Sequence, residues 1–141
     1  MNDDISIPEN HYPELSDRIK AMALDWVVLF GFMLIATFVF SLFETVSDKV
    51  RMAAFLFVFV FYDPLFTSFF GGTIGHRMIG LRVKRESDEQ KNILLPLALI
   101  RYLGKILFGW ISLLSVTFNI KKKAIHDYLI GSVVIYAGDK K

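Results

Sequence analysis

The stretch RIKAMALDWVVLFGFMLIATFVFSLF, Arg18 to Phe43, decides the fold. From Ala21 to Phe43 its only charge is Asp25. At about 1.5 Å rise per residue, a helix over that run is about 34 Å long, enough to cross a hydrocarbon core of about 30 Å. The stretch therefore predicts a transmembrane helix over residues 18–43. An ionised carboxylate in hydrocarbon costs a few kcal/mol even on lenient scales, so Asp25 requires a proton, a partner or a wet interior. Arg18 lies two turns earlier on nearly the same face, but about 10 Å away along the axis, too far for direct contact. Two readings stand side by side. In one, Arg18 snorkels at the interface and Asp25 bonds a neighbouring helix; in the other, the two belong to a ligand or ion site.

Composition agrees with the membrane assignment. The chain of 141 residues is 54% hydrophobic and 15% aromatic with 14 Phe, a load that a soluble domain of this size would expose as large apolar patches. A formal charge of +2 is too small for a nucleic-acid footprint, and the basic residues cluster beside the apolar runs, where they act as topology signals. The absence of cysteine removes disulfides, thiolate metal sites and a cysteine nucleophile.

Outward from the first helix, residues 1–17 carry five acidic side chains and two prolines. They predict a loosely ordered acidic tail without the basic start of a signal peptide. Ser16 or Asp17 is the expected helix cap. After the polar connection Glu44 to Arg51, a second helix is expected over 52–70. Its LFVFVF core resembles a strand, but a lone strand in lipid leaves its backbone groups unpaired. Asp63-Pro64 interrupts this helix; an interior proline frees a carbonyl one turn back. If the two helices run antiparallel, Asp25 and Asp63 fall in the same leaflet, either as a site or as a kink beside a solvated carboxylate. Gly71-Gly72 ends the helix, Thr73 caps a short turn through Met78, and Leu81 to Val83 alternates as a strand would. The glycines lack the spacing and preceding strand of a phosphate loop.

Basic residues orient the chain. Arg77, Arg82, Lys84, Arg85 and Lys91 in the second connection outnumber Lys49 and Arg51 in the first, which predicts a cytoplasmic N-terminus and a cytoplasmic 84–91 loop. The third apolar segment, 93–118, carries Arg101 and Lys105. A plain third span sinks these in lipid and sends Lys121, Lys122 and Lys123 outside, against the charge rule. A re-entrant or bent hairpin, broken near Gly104 or Gly109, avoids both penalties and returns the lysines to the cytoplasm. It also allows residues 131–136, rich in β-branched side chains, to pair with the Leu81 strand in a small cytoplasmic β-ladder. The expected fold is thus mainly α and integral to the membrane: two spanning helices, a third embedded segment and a possible two-stranded ladder, all within 18–141.

Four features together resemble the RDD family of bacterial membrane proteins. They are Arg18 to Asp25 ahead of an apolar helix, TIGHRMIGLRV from Thr73, Arg101 in the third segment, and IHDYLIGSVVI from Ile125. The family's naming Arg and two Asp map to Arg18, Asp25 and Asp127; His76 stands where the family commonly shows Lys. The resemblance implies a bacterial inner-membrane protein with a suggested part in transport, and it supplies no ligand.

His126-Asp127 invites comparison with HD hydrolases, but the further His and Asp ligands are missing, and no Ser or Thr stands in a nucleophile setting. No enzyme, cofactor or metal is expected. His126 is instead read as an interfacial residue beside a capping or paired Asp127. Two functional classes remain. In one, Arg18, Asp25, Asp63, Arg101 and Asp127 line a path for a cation, proton or small solute, which requires a homo-oligomer or a membrane partner because two or three helices enclose no path alone. In the other, the same charges are internal glue in a scaffold or lipid-head-group binder that sets Lys121, Lys122 and Lys123 against anionic lipid.

Overall fold

The computed structural model describes residues 11–138; most of the acidic tail, residues 1–10, lies outside them. Helix α1 is Leu15–Ser41, α2 Asp48–Phe70, α3 Ile74–Ile79, α4 Leu95–Leu114 and α5 Ile125–Ile130, with strands β1 Leu81–Arg85 and β2 Ser132–Tyr136. Three helices are long and apolar enough to cross a membrane: Leu15–Ser41, Asp48–Phe70 and Leu95–Phe118, the last including a 3-10 turn over Ser115–Phe118. The protein is an integral membrane protein with a mainly helical fold.

Helix α1 begins one turn earlier than expected, with Glu14 at its cap and no side-chain cap bond, so neither Ser16 nor Asp17 caps it. The chain just before it is packed rather than loose. Tyr12 clusters with Val133 and Ile135 of β2, and the Tyr136 hydroxyl donates to Asp17. Ser47 caps α2 by accepting from the Val50 amide at 3.4 Å. Pro64 sits inside α2 without ending it. The Tyr102 hydroxyl of α4 donates to the Phe59 carbonyl of α2 at 2.9 Å, tying the two helices together one residue before the carbonyl that Pro64 frees.

The outer parts of α1 and α2 form an apolar hairpin whose side chains stand open: Phe30, Leu34, Ile35 and Phe38 on α1, Leu56 and Phe57 on α2. In water such a surface is untenable; in lipid it is the expected finish. The buried part of the molecule lies at the other end, where Ala21, Leu81, Val83, Ile93, Ala98 and Val134 pack together.

That end is built from one device used twice. A six-residue helix (α3, α5) closes on a left-handed glycine (Gly80, φ 82°; Gly131, φ 62°) and runs into a five-residue strand. The strands pair antiparallel with Leu81 opposite Tyr136 and Arg85 opposite Ser132, a register symmetric about Val83–Val134. Each short helix packs on a long one, α3 on α1 and α5 on α4.

Helix α4 is not a straight span. Gly109 has φ 47° and ψ −129°, a conformation suited to glycine, and breaks the helix there. Gly104 before the break and Ser112 after it both lie against His126, so the chain bends sharply between them. The 3-10 turn and the lysines then return to the β-ladder, where Lys121 and Lys123 meet Glu86 at 2.9 and 2.6 Å. The bend falls at one of the two expected glycines, and the bent form describes this segment.

Candidate functional site

Three long helices and the two short ones bring buried charges to one level. Arg18 in the second turn of α1 is 3% exposed and donates to Asp127 Oδ2 at 2.8 Å and to the Lys122 carbonyl at 2.6 Å. Lys122 reaches that position with a left-handed φ of 46°. Asp127 is fully buried. Its Oδ1 accepts from Arg101 Nε at 2.9 Å and from the Ser132 hydroxyl at 3.1 Å, and its Oδ2 also takes the Ala124 amide, so it caps α5 as it bridges two arginines. Burial works against its ionisation, but the His126 ring and the Arg101 and Arg18 guanidiniums beside it hold Asp127 well below the usual carboxylate range. Arg101 extends to Asp63 at 3.5 Å, and Lys105, one turn further along α4, reaches Asp63 Oδ2 at 2.8 Å. The Thr67 hydroxyl completes Asp63 from one turn away on α2.

Asp25 stands outside this chain of ion pairs. The Tyr62 hydroxyl gives it a bond of 2.7 Å, the Thr73 hydroxyl one of 2.6 Å and the Gly75 amide one of 2.8 Å. The close approach of α3 depends on Gly75, since a Cβ there would lie 2.1 Å from the Ala21 carbonyl oxygen and 2.7 Å from the Asp25 carboxyl. Thr73 has one hydroxyl proton. With that proton on Asp25, the 2.5 Å contact to His76 requires the proton on His76 Nδ1, which lies 3.8 Å from Asp25. Burial, reinforced by the Lys105 and Arg101 cations, pushes His76 down to about 3, so the ring is neutral. The second histidine is held in the same way. His126 lies 2.6 Å from the Ser112 hydroxyl and 3.7 Å from Asp127, and burial takes it down to about 4 against the pull of Asp127.

A cavity of about 210 Å³ opens between α1, α2 and α4, with Asp25, Tyr62, Asp63, Tyr102 and Lys105 on its polar wall and room for several waters. Trp26, Phe59, Ile106 and Trp110 line the rest, and Trp26 and Trp110 are exposed at the outer surface.

The arrangement places the expected residues as follows. Arg18, Asp127, Arg101 and Asp63 are joined by direct contacts. Asp25 shares a cavity with Asp63 but touches no arginine, and it is set apart from Arg18, as the spacing along α1 requires. His126 is buried rather than interfacial. In the lysine run Lys121 and Lys123 share Glu86, and the Lys122 backbone carbonyl accepts from Arg18. Sequence reasoning left out Lys105, Tyr62, Thr73, His76 and Ser112. Lys105 was within reach of a pattern argument, four residues from Arg101 on the same face; the others are brought in by tertiary packing. Among the described residues no group of His, Asp and Glu side chains is arranged to hold a metal.

The RDD family model matches residues 12–131, which includes every residue of this cluster. The chain belongs to the RDD family. A relative in Bacillus subtilis (strain 168), described as the uncharacterized membrane protein YteJ, is 28% identical over 130 residues, covering 84% of this chain and 77% of the relative. No solved structure matches. In this RDD protein the Arg and Asp taken to name the family, Arg18 and Asp127, form a direct buried ion pair, while the remaining Asp25 faces the cavity.

Proposed function

We propose that this RDD protein conducts an ion or small polar solute across the bacterial inner membrane as an oligomer or with a membrane partner, its N-terminus in the cytoplasm, and that it is not an enzyme. The observation that supports this reading is the bonding of Asp25. Asp127 is held by two cations and Asp63 by two, but Asp25 is held by neutral donors only and lies on the cavity wall. Arg18, Arg101 and Lys105 exceed Asp63 and Asp127 by one positive charge, which the carboxylate of Asp25 balances. A proton or cation arriving at Asp25 changes that balance. A carboxylate so placed binds and releases without dismantling the structural ion pairs.

The test is flux into proteoliposomes, read with protons, sodium, potassium and small polar solutes. Wild type is expected to carry at least one of these, and Asp25→Asn to lose it while remaining folded. Equal flux through both proteins, or none through either, overturns the reading. Absence of flux favours the second reading, a membrane scaffold in which the charges are internal glue. The mutual satisfaction of Arg18, Asp127, Arg101, Asp63 and Lys105 supports it.

A further inference from the structure

Two arginines stand apart from the buried cluster. Arg77 on α3 and Arg82 on β1 lie on either side of Gly80 and line one shallow surface depression with Ile74 and Met78. Among the described residues neither guanidinium has a carboxylate within ion-pair distance. The contacts of Arg77 are to the Phe70 ring, 5.6 Å from its centroid, and those of Arg82 to its neighbour's Leu81 carbonyl. Burial and the neighbouring Arg77 charge both hold Arg82 below its ordinary value, as expected of two like charges facing one space without an anion. Beside them Phe70 and Met78 are 53% and 64% exposed, and Phe69, the preceding residue of α2, is 66% exposed. The position is equally specific, since Phe70 is the last residue of spanning helix α2 and Gly71 turns the chain out of it.

We propose that Arg77 and Arg82 form a clamp for the phosphate of an anionic phospholipid, with the acyl chains laid against Phe69, Phe70 and Met78. Guanidiniums match phosphate oxygens in forked geometry and stack on aromatic faces, as Arg77 does on Phe70. The exposed apolar side chains at the same edge distinguish a lipid from a free phosphate, which has no use for them. A second acidic protein is a poorer occupant, because Arg77 at the depression lies over Phe70, the last residue of spanning helix α2. The clamp is independent of any flux through the cavity, from which these residues are absent.

Native mass spectrometry of the full chain released from mixed micelles of phosphatidylglycerol and phosphatidylcholine tests this directly. A near-surface basic side chain is worth roughly a fivefold gain in binding to anionic lipid, so wild type is expected to retain phosphatidylglycerol preferentially. Arg77→Gln/Arg82→Gln is expected to lose the preference by roughly twentyfold or more. Lys49→Gln/Arg51→Gln, which removes two charges at the far end of the hairpin, is expected to keep it. If the double variant fails to fold, Arg77→Gln alone carries the test, because among the described residues the Arg77 guanidinium makes no hydrogen bond or ion pair and its contact is with the Phe70 ring. Equal retention of both lipids by wild type, unchanged retention in the Arg77 and Arg82 variants, or displacement of the lipid by millimolar inorganic phosphate would each overturn the clamp.

Discussion

The Arg18–Asp127 contact joins side chains 109 positions apart at 2.8 Å with both buried. Removing one partner of such a pair leaves the other charge buried, at a cost of about 3 to 5 kcal/mol, whereas an exposed pair is worth about 0 to 1. Arg18→Gln and Asp127→Asn are each expected to lower the thermal midpoint in detergent sharply, and the double variant to fall well short of their sum. Additive losses would show that the two act separately. The histidines give a second expectation. In the unfolded chain each titrates near 6.5, but burial keeps His126 neutral to about 4 and His76 to about 3. The unfolded state therefore binds more protons, and stability falls as pH drops from about 6.5 toward 4, by at most about 1.4 kcal/mol per pH unit for each histidine. His126→Asn should flatten the upper part of that slope, and an unchanged slope would count against it. At this scale the sequence announced which residues needed partners, because a charge in an apolar run always does. It did not announce the partners: nothing in local spacing links Tyr62 or Thr73 to Asp25, since the first contact needs α2 packed beside α1 and the second needs α3 docked on α1.

Elements were more legible than contacts, for a simple reason. Apolar length and the glycines at 71, 80 and 131 act locally, whereas the start of α1 depends on Tyr12 packing against a strand formed more than a hundred residues later. Docking of α3 hangs on Gly75, and Gly75→Ala is expected to unseat it, since the added carbon meets backbone at 2.1 Å. The measurable results are a large loss of stability and protease access near Gly80. Gly104→Ala should cost less, because the nearest atom is the end of a Leu129 side chain at 2.9 Å. The break in α4 gives a prediction of its own. Gly109 has open space around a would-be Cβ, so Gly109→Ala is penalised by backbone conformation alone, by about 1 to 3 kcal/mol. A stabilised variant would mean that the bend is not set there.

For the molecule as a whole, the bend in α4 and the Lys121–Glu86 contact predict Ser87 and Lys121 on one face of the membrane and Glu44 on the other. Single cysteines at these positions should label in that pattern with an impermeant reagent, and opposite labelling of Ser87→Cys and Lys121→Cys would restore a straight third span. Charge counting favoured this arrangement because it reads the side on which a segment ends; it cannot read oligomeric state, which leaves no local mark in the α1–α2 hairpin. The β1–β2 ladder adds something about time. Its second strand and Asp127 are made after all three apolar segments, and at about 5 to 20 residues per second Arg18 waits roughly 5 to 20 s for its partner. Throughout that interval the Arg18 guanidinium lacks its carboxylate, and β1, once made, lacks its pairing strand. Synthesis of α5 with Asp127 is thus the event that neutralises Arg18, and a chain stopped at Asn119 would present quality-control proteases with exposed intramembrane charge. Such a truncation should be cleared rapidly in cells even though all three apolar segments have been made.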